Sequence, residues 1–300
     1  MVLVVGASGR LGSRVARMLL AQGVTVRAMT RQVSSVRELA ALGAETIAAD
    51  LRDRTSLGRA CANVETVVAA AHAFTGSGTN TPRTVDDSGN RHLIDASRNA
   101  GVTHFVFTSA YGAAPNHPID FFRIKFHTEE YLRVSGLSYT ILRPTAFMEF
   151  WATLVGKPIF ERGQATIFGR GTNPINFVSV DDVARFAVMA LDDVAARNQV
   201  IDIGGPENLS LVHVAEIFER ITGRSAKRRH VPLPLMRAMA VLLRPLNPAL
   251  SRQIAAGVHM DTRDQTMDMT ETLKRFPMPL TRLDDVVRAA YGAQVQSWAG

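Results

Sequence analysis

The sequence predicts an α/β protein built on a doubly wound parallel sheet, followed by a smaller, mostly helical C-terminal lobe. Three observations predict it. A short apolar run at 2–6 ends in the glycine-rich turn Gly6-Ala7-Ser8-Gly9-Arg10-Leu11-Gly12. Strand-like and helix-like segments then alternate at a spacing that implies βαβ units. Composition shifts after Arg143-Pro144, where regular alternation gives way to irregular, aromatic-rich and then Pro-rich sequence.

The elements follow in order. Continuous β-branched apolar runs mark strands at 2–6, 24–29, 45–49, 66–71, 105–108 and 139–142;. Helical spacing of apolar residues, with glycine stops, marks helices at 14–22, 36–42, 56–62, 86–100 and 121–135;. A helix at 181–191 and a strand at 200–203 follow. The expected division is 1–150 for the sheet domain and 151–300 for the smaller lobe, with parts of 176–203 returning to the main sheet.

Bulk properties bound the function. Of the 300 residues, 46% are hydrophobic and 20% charged, which predicts a globular chain with a sizeable core;. One cysteine, Cys61, cannot form an intramolecular disulfide, which fits a reducing, cytoplasmic setting;. The apolar start at 2–5 is too short for a secretory core. No apolar run is long enough to span a bilayer, so no integral membrane segment is expected. The net charge is +7, a balance compatible with nucleic acid, an acidic surface or an anionic ligand. The basic residues read as dispersed, apart from Arg224, Lys227, Arg228, Arg229 and His230. That cluster reads as a solvated loop, and with no interleaved aromatics it predicts no nucleic-acid partner. No feature specifies an oligomeric state, and no His/Cys/Asp/Glu group has metal-ligand spacing.

The glycine turn carries the chemistry. Its spacing is G-x-x-G-x-x-G between a strand and a helix. Glycine permits a tight turn and lets backbone N–H groups approach a pyrophosphate, while the following helix N-terminus supplies partial positive charge. This is the signature of a Rossmann-type dinucleotide site, using Gly6, Ser8, Gly9, Arg10, Leu11 and Gly12.

Together with this turn, Arg31, the run Asp50-Leu51-Arg52-Asp53, the stretch 90–109, the stretch 139–145 and the stretch 176–184 resemble the atypical short-chain dehydrogenase/reductases. Within them, the chain resembles the NmrA-like NAD(P)-binding proteins over about its first two-thirds. After the second strand, a carboxylate would favour NAD(H); here Met29-Thr30-Arg31-Gln32 has none. Arg31 is suited to a 2′-phosphate, and Arg10 can face the same group. NADP(H) is therefore expected over NAD(H). The resemblance implies that Asp50 and Leu51 border the adenine. It also implies that Ala70 and Ala71 lie close to the cofactor, with Thr108, Pro144 and Thr145 near its nicotinamide end.

The wider superfamily uses Tyr-x-x-x-Lys. The matching segment here is Phe121-Phe122-Arg123-Ile124-Lys125, so the lysine is kept and the tyrosine is Phe121. Ser109 stands where a catalytic serine usually sits. Tyr111 is a substitute acid or an aromatic lining of the pocket, and His127 reads as a surface or packing residue. Lys125, Ser109 and Tyr111 are the candidate catalytic residues. Tyr111, Phe121, Phe147, Met148 and Trp151 are the candidate substrate contacts, the last three reading alternatively as ordinary core. Asp181 and Asp182 read as structural, one capping the helix that starts there. The resemblance implies a reductase passing hydride from NADPH to a small apolar, quinone-like or enone-like molecule. It equally allows a non-catalytic NADP(H)-binding regulator, redox sensor or assembly factor.

Overall fold

The computed structural model describes residues 1–296. The first stretch runs β1 (Val2–Val5), α1 (Arg10–Ala21), β2 (Val26–Thr30), α2 (Arg37–Ala41), β3 (Glu45–Ala48), α3 (Arg54–Cys61), β4 (Thr66–Ala69), α4 (Asn90–Asn99), β5 (His104–Thr108), α5 (Asp120–Arg133) and β6 (Ser138–Pro144). The chain continues with β7 (Ala146–Phe147), α6 (Met148–Trp151), α7 (Lys157–Arg162), β8 (Gln164–Phe168) and β9 (Ile175–Val178). Then come α8 (Val180–Asp192), β10 (Gln199–Ile203), β11 (Asn208–Leu209), α9 (Leu211–Thr222), β12 (Lys227–Val231), α10 (Leu233–Leu242), α11 (Pro248–Thr262), α12 (Thr270–Arg275) and α13 (Leu283–Gln296).

Two compact units result. The first comprises Met1–Pro144 with Val183–Asp202; the second comprises Thr145–Asp182 and the chain from Ile203 onward. The first holds a seven-stranded sheet in the order β10-β6-β5-β4-β1-β2-β3. Every neighbouring pair from β3 to β6 is parallel. The full burial of β1 and β4 explains why their sequences, VLVV and TVVA, do not alternate apolar with exposed polar residues;. Leu3, Val67, Phe105, Phe107, Leu57 and Leu93 form its core. Strand order reverses between β1 and β4, the switch point where a crevice opens beyond the carboxyl ends of parallel strands.

The second unit has its own core, with Val155, Ile159, Phe177, Val214, Phe218 and Val287 at its centre. Gly156 is required there, because a Cβ at that position would lie 2.0 Å from the Phe218 ring.

Three local expectations are corrected. α1 starts at Arg10, not at 14, because the Gly9 N–H closes onto the Gly6 carbonyl at 2.8 Å and the turn ends there. The helix expected from 86 starts at Pro82, with π-type turns to Gly89, after a reciprocal Thr81/Thr84 cap. The basic cluster 224–230 is not a loop throughout. Residues 227–231 form β12, paired in parallel with β8, and only its side chains stay exposed. At the start of α8, the Glu149 carboxylate accepts the Val180 N–H at 2.9 Å, while Asp182 accepts from the Thr281 N–H and hydroxyl.

Candidate functional site

The glycine turn lies at the end of β1, beside the switch point. Gly6 sits at φ +80°, and a Cβ there would meet the Ala71 backbone at 3.0 Å. A Cβ on Gly12 would lie 2.3 Å from the Gly6 carbonyl oxygen. The turn and the start of α1 are thus packed too closely for any other residue. Gly9 is the N-cap, offers no side chain to the first turn, and no acidic residue follows it in that turn. The first N–H groups of α1 are left without a side-chain acceptor, which makes a cradle for an anion. Ser8, Gly9 and Arg10 are exposed around it. Leu11 is buried, so only its backbone can face a ligand.

Hydroxyl groups tie this turn to the end of β2. Thr30 donates to Ser8 at 3.3 Å and lies 3.1 Å from the Ser35 hydroxyl, which itself donates to the Gln32 carbonyl at 2.6 Å. Sequence reasoning missed Thr30 and Ser35, although hydroxyl residues flanking an arginine at a strand end were visible. Arg31 is exposed beside Asp50. Arg52 grips Asp50 with two hydrogen bonds, at 2.9 and 2.5 Å, and also donates to the Thr79 hydroxyl at 2.8 Å. The Arg52 hydrogen bond holds the Asp50 carboxyl below the usual carboxylate range against its partial burial, with the Arg31 charge adding to the effect. Asp50 is therefore a neutralised carboxylate flanked by two cations. Leu51 is buried in the core, against Gly89. Ala70 and Ala71 are half-buried at the end of β4.

At the far end of the crevice, α5 presents Lys125, which is 1% exposed. Its Nζ lies 3.0 Å from Asp86 Oδ1 and donates to the Thr108 carbonyl at 3.0 Å. Asp86 is fully buried, and its other oxygen accepts the Ala73 N–H at 2.8 Å. The ion pair thus joins α5, the helical segment before α4 and the loop after β4. Nothing local in the sequence marks Asp86 as the partner. The Thr108 hydroxyl is buried and makes no hydrogen bond among the described residues.

Ser109 is buried and donates its hydroxyl proton to Glu129, which Arg143 also holds, at 2.9 and 2.5 Å. Its one proton is committed to that carboxylate. Tyr111 is half-buried and anchored by its N–H to the Pro144 carbonyl at 2.9 Å. Phe121 packs edge-on against Phe74 at 5.0 Å and Phe122 at 5.6 Å, with His72 at 6.4 Å and the Lys125 ammonium 5.5 Å over its ring. His72 is reached by water yet ringed by protein, and this burial pushes its pKa down. His127 is exposed.

The remaining expected residues lie in the second unit. Met148 and Trp151 are buried members of its core, with Trp151 edge-on to Phe177 at 6.1 Å. Their side chains pack there. Phe147 is half-buried, and the Thr145 hydroxyl donates to Asn176 at 3.0 Å. Among the described residues, no three His, Cys, Asp or Glu side chains are grouped to hold a metal ion, and no helix is long and apolar enough to cross a membrane.

Comparison with known proteins adds three findings. The model of the NmrA-like family matches residues 1–268. An NAD(P)H azoreductase of Xenophilus azovorans is 32% identical over 239 residues, covering 79% of each chain, and a photosystem II assembly factor Ycf39 of Synechocystis sp. is 29% identical over 297 residues, covering 97% of this chain and 90% of the relative. The fold matches that of the NADPH-dependent quinone oxidoreductase QOR2 of Escherichia coli, crystallised with NADPH. The TM-score is 0.79 at 22% identity, over 97% of this chain and all of the other.

Proposed function

The chain belongs to the NmrA-like family, and on that premise we propose that it is an NADPH-dependent reductase passing hydride to a conjugated apolar acceptor of the quinone or enone kind. The observation that carries the reading is the cradle at Gly6, Gly9 and Gly12. Its backbone N–H groups have no competing side chain, and the close packing of Gly6 on Ala71 and of Gly12 on the Gly6 carbonyl holds the turn in shape. The 2′-phosphate end of NADPH suits the cations at Arg31 and Arg52, since Asp50 is neutralised and the hydroxyls of Ser8, Thr30 and Ser35 lie alongside;. Arg10, exposed at the start of α1, is a third cation in the same turn region.

The bound nicotinamide supplies the hydride. The protein's part is to orient and to stabilise charge. Lys125 has three N–H donors, and Asp86 and Thr108 engage two directions;. The ammonium is otherwise covered by the Phe107 and Phe121 rings, at 4.8 and 5.5 Å, so it acts from beneath the crevice wall, lending positive charge to the end where an acceptor oxygen gains charge. Phe121 has no proton to give, and a quinone or enone needs none from that position. Tyr111 and Phe121 shape the acceptor end of the crevice. The Xenophilus azovorans relative, an NAD(P)H azoreductase, supports a conjugated acceptor.

A second reading is a non-catalytic NADP(H)-binding assembly factor. The Ycf39 relative, aligned over nearly the whole chain, favours it, as does the commitment of Ser109 to Glu129. One experiment separates the two: NADPH oxidation against a panel of quinones and enones, beside fluorescence titration of NADPH and NADH. Turnover with tighter NADPH binding supports the reductase. Tight NADPH binding with no turnover on any acceptor supports the assembly factor, and equal affinity for the two cofactors defeats the 2′-phosphate assignment.

A further inference from the structure

In the second unit, α10 and α11 pack as a hairpin, and α10 with the turn after it leaves several large apolar side chains exposed. A helix on a globular surface normally turns its apolar stripe inward. α10 does this only with Met236. Leu235 is 50% exposed, Val241 71%, Leu242 70% and, in the turn beyond, Leu246 81%. Leu235 and Leu242 stand seven apart and so lie on one side of the helix, with Leu246 continuing the patch past its end. A contiguous patch of this kind on an otherwise polar surface marks an interaction site.

The charge of the same segment is equally one-sided. Residues 221–260 contain seven Lys and Arg and no Asp or Glu. The whole chain has 34 basic and 27 acidic residues. Without those seven, the basic count falls to 27 and matches the acidic one, so the entire net charge of +7 resides here. Arg237 and Arg244 are exposed and form no ion pair among the described residues. Arg237 shares a helix face with Val241, and Arg244 follows Leu242 by two positions. β12, with Lys227 and Arg229 exposed, leads directly into the start of α10. Arg237 and Arg244, themselves seven apart, thus form a row along the roughly 15 Å of α10 on the flank away from Leu235 and Leu242, with Val241 between the two rows;.

We propose that α10 and the turn after it dock on an anionic lipid surface. Leu242 and Leu246 enter the boundary between headgroups and acyl chains, while Arg237 and Arg244 meet lipid phosphates. A bilayer interface offers both an apolar phase and a plane of negative charge at this spacing. A second copy of the chain would bring like charge against like charge. Nucleic acid would leave the leucines unmatched, and the segment has no Phe, Tyr or Trp to stack on a base;. The attachment is peripheral, by the hairpin tip.

Vesicle sedimentation of the full chain tests this. Vesicles of phosphatidylcholine alone are compared with equimolar phosphatidylcholine and phosphatidylglycerol, at low and high salt. The chain should bind the mixed vesicles at low salt and release at high salt. Arg237→Ala with Arg244→Ala should weaken binding about thirtyfold, roughly fivefold per cation. Leu242→Ser with Leu246→Ser should abolish binding while leaving the melting temperature unchanged, because both side chains are already exposed. The proposal fails if both vesicle types bind alike, if neither binds at low salt, or if both double variants bind as the parent does. It also fails if sedimentation equilibrium shows a dimer that Leu246→Ser dissolves, since a second copy would then cover the patch.

Discussion

Lys125 and Asp86 form a buried ion pair at 3.0 Å, between α5 and the helical segment preceding α4, with side chains 2% and 0% exposed. Removing one partner strands the other charge in a place water cannot reach. Lys125→Met should therefore destabilise the protein by about 3–5 kcal/mol, read as a fall in urea midpoint. Asp86→Asn keeps an acceptor for the Ala73 N–H and removes the stranded charge. Added to Lys125→Met, it should recover a large part of the stability. If Lys125 also orients the cofactor, NADPH turnover should stay lost in the recovered double variant. Strictly additive losses in urea midpoint would show that the two residues are not coupled.

Arg31 stands exposed beside the Asp50–Arg52 pair, where a 2′-phosphate is expected. Arg31→Ala should weaken NADPH binding by about 1.5–3 kcal/mol, the loss of one charge-assisted contact. NADH binding should change little. Fluorescence titration of both cofactors measures the difference, and an equal loss for both would move the phosphate elsewhere.

The sheet and the glycine turn were legible in the sequence because their signals are local. Buried strands read as apolar runs, and Gly6, Gly9 and Gly12 mark a turn that tolerates no Cβ at Gly6 or Gly12. Lys125 was legible as a position, from its spacing to Phe121. Its partner was not. Asp86 is one acid among many until the chain is folded, and the same holds for Glu129 beneath Ser109. Met148 and Trp151 show the converse difficulty. An apolar aromatic segment after a strand end looks like a pocket wall or like core, and only the packing of Trp151 on Phe177 shows where these side chains lie.

His104 provides a pH-dependent prediction. It is buried between Ser138 and Thr140, at 3.1 and 3.2 Å, and burial, with the Arg197 charge adding, lowers its pKa to about 4 from 6.5. A depressed histidine is neutral in the folded state while the unfolded chain takes up a proton. Its contribution is fully present above pH 6.5 and is lost as pH falls toward 4. The loss is on the order of 3 kcal/mol at most. Urea midpoints at pH 7 and pH 4.5 should differ more for the parent than for His104→Gln. Equal differences would assign the acid sensitivity to other groups.

Ser109 is the sharpest test of which polar groups work and which merely hold the fold. Its position just after β5 matches a catalytic serine, but its proton goes to Glu129, which Arg143 also holds. Ser109→Ala would leave Glu129 with Arg143 as its remaining charged partner and one lone pair short of a donor. A buried acceptor deprived of its donor costs about 1–3 kcal/mol. The expected result is a lower melting temperature with kcat and KM for a quinone acceptor unchanged below the transition. Tyr111→Phe, in contrast, should leave stability near the parent value, because the hydroxyl makes no hydrogen bond among the described residues, and should alter KM if the ring borders the acceptor. A large fall in kcat for Ser109→Ala at full folding would return the serine to the chemistry and show that its bond to Glu129 opens when the acceptor binds.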